Sequence, residues 1–354
     1  MPLRKSKTCR VGVTRSAYYF YIDVSGTLMN ILADYHHADL YESLLILFED
    51  RFGWQVYRPT GLDWYRQGLW LGSDDPKVVH QFLDPWPGQT LVGDHYQAQE
   101  VPHPSRRHKL VTYEQFRAGR FDFVLASLRQ NEHRWQQLAD EIGARALLQV
   151  GNFDQPVDWS LPHVVLAAAR IELQGPGVIY HPEFSLADFR LEPLDDPRRI
   201  TNLTNCLPQT GRAFADFLAL RMALPEFTFR EHGINGRDGI VSPSAAVAAA
   251  MRAAGWAFHN KPVGDGYGFV IHQWAASGRP LIGRARYYAG QLAEPLWEHG
   301  VTSIDLSVPD AVDLIREISE DPERHRRLCE AGARRFREIV DFDAEAARIR
   351  ELVP

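Results

Sequence analysis

The chain has 354 residues, 45% hydrophobic and 24% charged, with a formal net charge of -6. Its length exceeds what one core usually fills, so two domains are expected, and its composition shows no bias toward disorder. The small negative charge gives no global pull toward nucleic acid or anionic membrane, so neither is expected as a partner.

Leu28–Ala33 reads as a short buried strand. Asp39 and Glu42 have capping-box spacing ahead of Leu44, Leu45, Leu47 and Phe48, which predicts a helix from Asp39 that Gly53 ends. Gln55–Tyr57 fits the next strand. Residues 58–110, rich in Pro, Gly, Trp and His, break the rhythm and read as an insertion or an irregular edge region, with Arg106-Arg107-His108-Lys109 as a solvated loop. The rhythm resumes with a strand at Phe121–Ala126, a helix over Glu132–Ile142 stopped by Gly143, and strands at Ala146–Val150, His163–Ala168 and Val178–Tyr180. Strands alternating with helices imply a parallel sheet covered on both faces.

Pro182 to Arg199 is polar and proline-rich, suited to carry the chain between domains. A second unit then begins with a strand at Ile200–Thr204, a helix over Arg212–Met222 and a strand at Phe227–Phe229. Ser242 and Pro243 read as an N-cap and a first-turn proline for a helix from Ser244 that ends at Gly255. Strands at Trp256–Phe258 and Leu281–Ile282 and helices at Asp310–Ile318 and Pro322–Ile339 complete it. Cys9, Cys206 and Cys329 match no close metal spacing and read as free thiols of a reducing compartment. No stretch has the apolar length of a signal peptide or a membrane span, so the expected location is the cytoplasm.

In the first half, Asp34-Tyr35-His36-His37-Ala38-Asp39 follows a strand, where open α/β sheets bind ligands. A histidine there can exchange a proton, oriented by a nearby carboxylate. Alternatively Asp34, His36, His37 and Asp39 hold a metal, or the histidines simply face solvent. Gly151-Asn152-Phe153-Asp154 can line the same cleft, and His181 and Glu183 read as hinge or rim residues. No Ser-His-Asp or Cys-His set with a supporting motif appears, and Gly12 and Gly26 form no dinucleotide fingerprint, so hydrolytic and redox chemistry have no specific support.

Three glycines at 264, 266 and 268 precede an apolar helical pattern of Val270, Ile271, Trp274 and Ala275, with Gly278 placed to end it. Glycines there allow close backbone approach, and a helix start offers free N–H groups to a phosphate. A surface turn before an amphipathic helix is the plainer reading of the same residues.

This stretch resembles the donor-site loop and helix of retaining glycosyltransferases with two facing Rossmann-like domains, the GT-B architecture of the group 1, family 4-like kind. Asp265 falls on that family's first acidic position, and Gly266-Tyr267-Gly268 on its Gly-Phe-Gly. Ala275, Gly278 and Pro280 continue the match, while Gln273 replaces the glutamate that holds the ribose. The resemblance implies an α/β fold with a nucleotide-sugar cleft between two Rossmann-like domains, residues 1–190 on the acceptor side and 191–340 on the donor side, with 341–354 returning to the first. It implies no cofactor and no metal. The diphosphate of a nucleotide sugar would rest on the amides of Gly266–Phe269, and the sugar would pass to a small-molecule, glycan or protein acceptor.

Asp265 would bind the transferred sugar. An acceptor-side histidine would be His36 first and His37 second. The family's basic phosphate pair is poorly kept in Pro208-Gln209-Thr210-Gly211-Arg212. Arg212 is the expected phosphate ligand, with Lys261 and Arg237 as weaker candidates. Gln273 and the missing phosphate lysine leave open a sugar-nucleotide- or glycan-binding protein without turnover. A sugar-nucleotide epimerase is a further rival, which would need more acidic and histidine residues near the donor.

Overall fold

The computed structural model describes residues 29–34, 38–59, 63–69, 89–92, 97–100, 108–127, 129–152, 154–194, 196–262 and 267–354. The first sheet contains β1 (Asn30–Ala33) and β2 (Gln55–Pro59). A separate antiparallel pair, β3 (Gln89–Val92) and β4 (Gln97–Glu100), comes next in the chain. The first sheet continues with β5 (Lys109–Val111), β6 (Phe123–Ala126), β7 (Arg145–Val150), β8 (Val164–Ala167) and β9 (Gly177–Ile179). Its seven strands run parallel in the order β5-β2-β1-β6-β7-β8-β9. β6 (Phe-Val-Leu-Ala) and β8 (Val-Val-Leu-Ala) are buried at every position, as strands covered on both faces should be.

The second sheet holds β10 (Arg199–Asn202), β11 (Thr228–Glu231), β12 (Trp256–Phe258), β13 (Leu281–Gly283) and β14 (Ser303–Asp305). These are parallel in the order β11-β10-β12-β13-β14. Among the described residues the α-helices are α1 (Ala38–Leu44), α2 (Asp63–Arg66), α3 (Tyr113–Ala118), α4 (Glu132–Ile142), α5 (Arg212–Ala223), α6 (Ser244–Arg252), α7 (Phe269–Ala276), α8 (Ala311–Glu320), α9 (Pro322–Ile339) and α10 (Phe342–Leu352). The fold is α/β, with two Rossmann-like parallel sheets.

Local chemistry explains the elements that the sequence placed well. Gly143 closes α4 at φ 71°, a left-handed conformation that costs glycine least. Asp321 starts α9 by accepting from the amides of Glu323 and Arg324, with Pro322 at the first position. Gly53 turns the chain after α1 and the wider π-helical run Leu45–Arg51 that continues it.

Other expectations need correction. α1 begins at Ala38, so Asp39 lies within its first turn and is not the cap, and Glu42 faces His108 at 3.1 Å instead of closing a capping box. α6 is preceded by Pro243, and no side chain caps it, so Ser242 is not its N-cap. The region 58–110 is only partly an insertion, because β5 joins the edge of the main sheet beside β2. Lys109 of the supposed solvated loop pairs with Glu49. Cys206 and Cys329 are free thiols, as expected, while Cys9 lies outside the described residues.

Three apolar clusters fill the structure, one under the first sheet and two around the second. α10 is the exception to chain order. Its Ala346 and Ile349, followed by Val353, belong to the first sheet's cluster, and the Arg145 guanidinium donates to the Leu352 carbonyl at 3.0 Å.

Candidate functional site

Strand order locates the ligand-binding edges. In the first sheet the chain runs from β1 outward through β2 to β5, then restarts on the other side with β6, so its switch point lies between β1 and β6. Asp34 ends β1 there and is 2% exposed. One carboxylate oxygen accepts from the Ser127 amide at 2.6 Å and the other from the Trp135 indole at 3.1 Å. Ser127 Oγ donates to Gln149 at 3.1 Å, and Gln149 donates to the Tyr180 hydroxyl at 2.6 Å. Asp34 therefore ties the carboxyl edge of the sheet together. Each of its two oxygens thus takes one donor from the first half. His36 and His37, with Tyr35, lie outside the described residues. Among the described residues no group of three or more His, Cys, Asp or Glu side chains could hold a metal.

In the second sheet the switch point lies between β10 and β12. Thr204 Oγ1, after β10, stands 3.2 Å from His259 Nδ1, after β12, so the two facing loops touch. Beside them Asp216 of α5 accepts from Arg284 Nε and Nη2, both at 2.7 Å, and from Asn260 Nδ2 at 2.8 Å. The Arg284 amide returns a bond to Asn260 Oδ1 at 3.2 Å. The Asp216 carboxylate holds the Arg284 guanidinium above its ordinary pKa. Helix α5 and the loops after β12 and β13 are thus fastened by one bidentate pair and one amide. Sequence reasoning missed this clamp. Its available signal was that Asn260 and Arg284 are polar residues directly beyond strand ends.

The glycine-rich loop enters α7 at this same edge. Gly264, Asp265 and Gly266 lie outside the described residues. Gly268 is left-handed at φ 71° and ψ 53° and is the N-cap of α7. Its carbonyl accepts from the amides of Ile271 and His272 at 3.0 and 3.2 Å. The amides of Phe269 and Val270 therefore precede the helical ladder, as the first donors of any helix do. Tyr267 is buried, and Phe269 and Gln273 sit within α7, with Gln273 6% exposed.

Of the expected basic residues, Arg212 is exposed at the first position of α5, after Gly211 with φ 50°. Lys261 follows β12, and its backbone amide donates to the Tyr288 hydroxyl at 3.2 Å. Arg237 donates to the Phe229 carbonyl at 3.0 Å and lies 3.5 Å from Asp238, so it braces its own loop. Gly268, Phe269, Lys261 and Arg212 all belong to segments that leave or approach the carboxyl edge of the second sheet.

The two halves meet through named contacts. Arg51 donates to Glu183 at 2.8 Å and to Asp343 at 2.6 Å, joining the first half, the connector and α10. His181 holds Glu345 of α10 through its backbone amide and Nδ1, both at 2.7 Å. Among the described residues no helix is long and apolar enough to cross a membrane.

No protein-family model and no curated protein matches the chain. Solved structures do. Anabaena HepE in complex with UDP and glucose superposes with a TM-score of 0.57 at 11% identity, covering 91% of this chain and 98% of that one. Sucrose-phosphate synthase from Thermosynechococcus elongatus gives 0.58 at 14% identity, over 92% and 98%. A glycosyltransferase from Rickettsia africae ESF-5 gives 0.55 at 11% identity, over 92% and 98%. At such identities the likeness is one of fold, and that fold is the two-sheet GT-B architecture.

Proposed function

We propose that this chain is a glycosyltransferase that moves a hexosyl group from a nucleotide-diphosphate sugar to an acceptor, with retention, as group 1, family 4-like enzymes do. One observation carries the reading: a glycine-rich loop ends in left-handed Gly268 and opens α7 at the switch point of the second sheet. A helix start there suits a diphosphate, because unpaired amides and the helix dipole both favour negative charge. Neighbours of the same fold hold UDP, UDP with glucose, or UDP-glucose.

In this reading Gly266 to Phe269 bind the diphosphate through backbone amides rather than through a metal, with Arg212 and Lys261 as cationic support. Gln273 meets the ribose, Asp265 holds the transferred sugar, and His36, or else His37, serves the acceptor. The reading includes an acceptor domain of residues 1–190, a donor domain of 191–340, a returning segment of 341–354, and a cytoplasmic location. Gln273, neutral where the resembled family has a carboxylate, favours a second reading: a sugar-nucleotide-binding protein with little turnover.

A thermal-shift panel of UDP-, GDP-, ADP- and TDP-sugars tests the first step, since a ligand selective for the folded state raises its stability. The donor that binds is then incubated with a broad acceptor set. Sugar transfer that requires an acceptor supports the transferase, binding without transfer supports the second reading, and no binding by any nucleotide sugar overturns both.

A further inference from the structure

Tyr267 belongs to the donor loop by sequence, yet its ring is packed in the apolar cluster of the first sheet. It lies almost flat on His272, with centroids 4.5 Å apart and planes at 9°. Its edge meets Phe269 at 4.7 Å. His272 stands one turn into α7, fully buried, and its Nδ1 is 3.1 Å from the carbonyl of Gly268, the residue that sets the entry of the helix. His181 closes the third side, 5.9 Å from the Tyr267 ring and 5.3 Å from His272. Glu345 of α10 fixes His181 in turn by two bonds of 2.7 Å.

An imidazole in a buried apolar setting costs desolvation that leucine or valine would avoid. Here it gains a bond to the Gly268 carbonyl, which shares its rigid peptide plane with the Phe269 amide and so fixes where that amide points. The stack also spans both halves: Tyr267 and His272 come from the second, while His181 and the α10 cluster belong with the first.

We infer that the Tyr267–His272 stack, seated on His181 and Glu345, is a positioning device that holds the phosphate loop from the first half, so that nucleotide affinity depends on how the halves meet. This rests on the donor-site reading above and deepens it. None of the four side chains needs to touch the nucleotide; they act through Gly268 and the amides that follow it.

The test is calorimetric titration with UDP, GDP, ADP and TDP. The wild type is compared with His272→Ala, His272→Phe, Tyr267→Phe and Glu345→Ala. Ile315→Ala, a fully buried site on α8 in another cluster, serves as the stability control. His272→Ala should weaken the bound nucleoside diphosphate at least tenfold. His272→Phe, which keeps the ring but not the bond to Gly268, should fall between it and the wild type. Tyr267→Phe keeps the stack and should stay within threefold. Glu345→Ala should lose affinity severalfold from its place on α10, whereas Ile315→Ala should lower Tm without changing affinity.

Wild-type affinity in both His272→Phe and Glu345→Ala overturns the inference while leaving the donor site standing, and so does an equal loss in Ile315→Ala. A wild type that binds none of the four nucleotides overturns the donor-site reading, and this inference with it.

Discussion

Gly268 has both a conformation and a position on which the proposed donor site depends. At φ 71° an L side chain clashes with its own backbone, costing about 1–2 kcal/mol, and a β-branched one fits worst. Gly268→Val should therefore rotate the entry of α7 and weaken UDP binding tenfold or more. Its circular dichroism should stay that of a folded protein, and unchanged affinity by calorimetry would remove the diphosphate from this helix start. Gln273 makes an opposing pair of demands, because it is 6% exposed. A carboxylate there loses hydration in the empty protein but accepts more strongly from ribose hydroxyls. Gln273→Glu should thus lower the unliganded Tm and tighten UDP by about 1 kcal/mol. If UDP and its 2′,3′-dideoxy analogue bind the native protein equally, Gln273 is not at the ribose.

At the scale of elements, the Asp216–Asn260–Arg284 clamp couples α5 to the loops after β12 and β13. The side chains of the Asp216–Arg284 pair are 14% and 15% exposed, so removing one partner strands a largely buried charge. Asp216→Ala should cost about 3 kcal/mol in urea denaturation, near the lower end for broken buried pairs. Arg284→Met should cost less, since the stranded Asp216 carboxylate keeps its bond from Asn260 Nδ2 at 2.8 Å, and equal losses would speak against this account.

What the sequence disclosed, and what it hid, follows the range of the interactions involved. α4, α9 and β12 were legible to the residue because their periodicity, caps and apolar runs are local. β5 and β14 were not read, since Lys-Leu-Val and Ser-Ile-Asp carry polar residues at one or both ends, where β12 is the wholly apolar run Trp-Ala-Phe. The clamp was equally hidden, because Asp216 meets partners 44 and 68 positions away that no spacing rule connects. The turn into α7 was legible from residue type, since the glycine at 268 takes the left-handed conformation that precedes the helix. The inward turn of Tyr267 toward the other half was not, because burial of a loop aromatic depends on what the fold places opposite it.

Across the whole molecule, each half buries a histidine that resists protonation. His163, in the first half, has its pKa pushed below the ordinary 6.5 by burial, against the raising pull of Glu132 and Asp158 and with a further lowering from His133. His325 of α9, in the second, is lowered by burial and by the nearby Arg279, against a bond of its Nε2 to the Gly255 carbonyl at 3.0 Å. Because the unfolded chain binds these protons more readily, the stability they contribute is complete above pH 6.5 and is lost as pH falls through and below that value. Each site can add a slope of up to about 1.4 kcal/mol per pH unit in that window. Urea midpoints measured from pH 8 to pH 5 should therefore be nearly level at first and then drop. His325→Gln, whose amide can still donate to the Gly255 carbonyl, should flatten part of that drop by removing one titrating group. The same profile in variant and wild type would exclude His325 as a source of acid sensitivity and leave His163 to account for it.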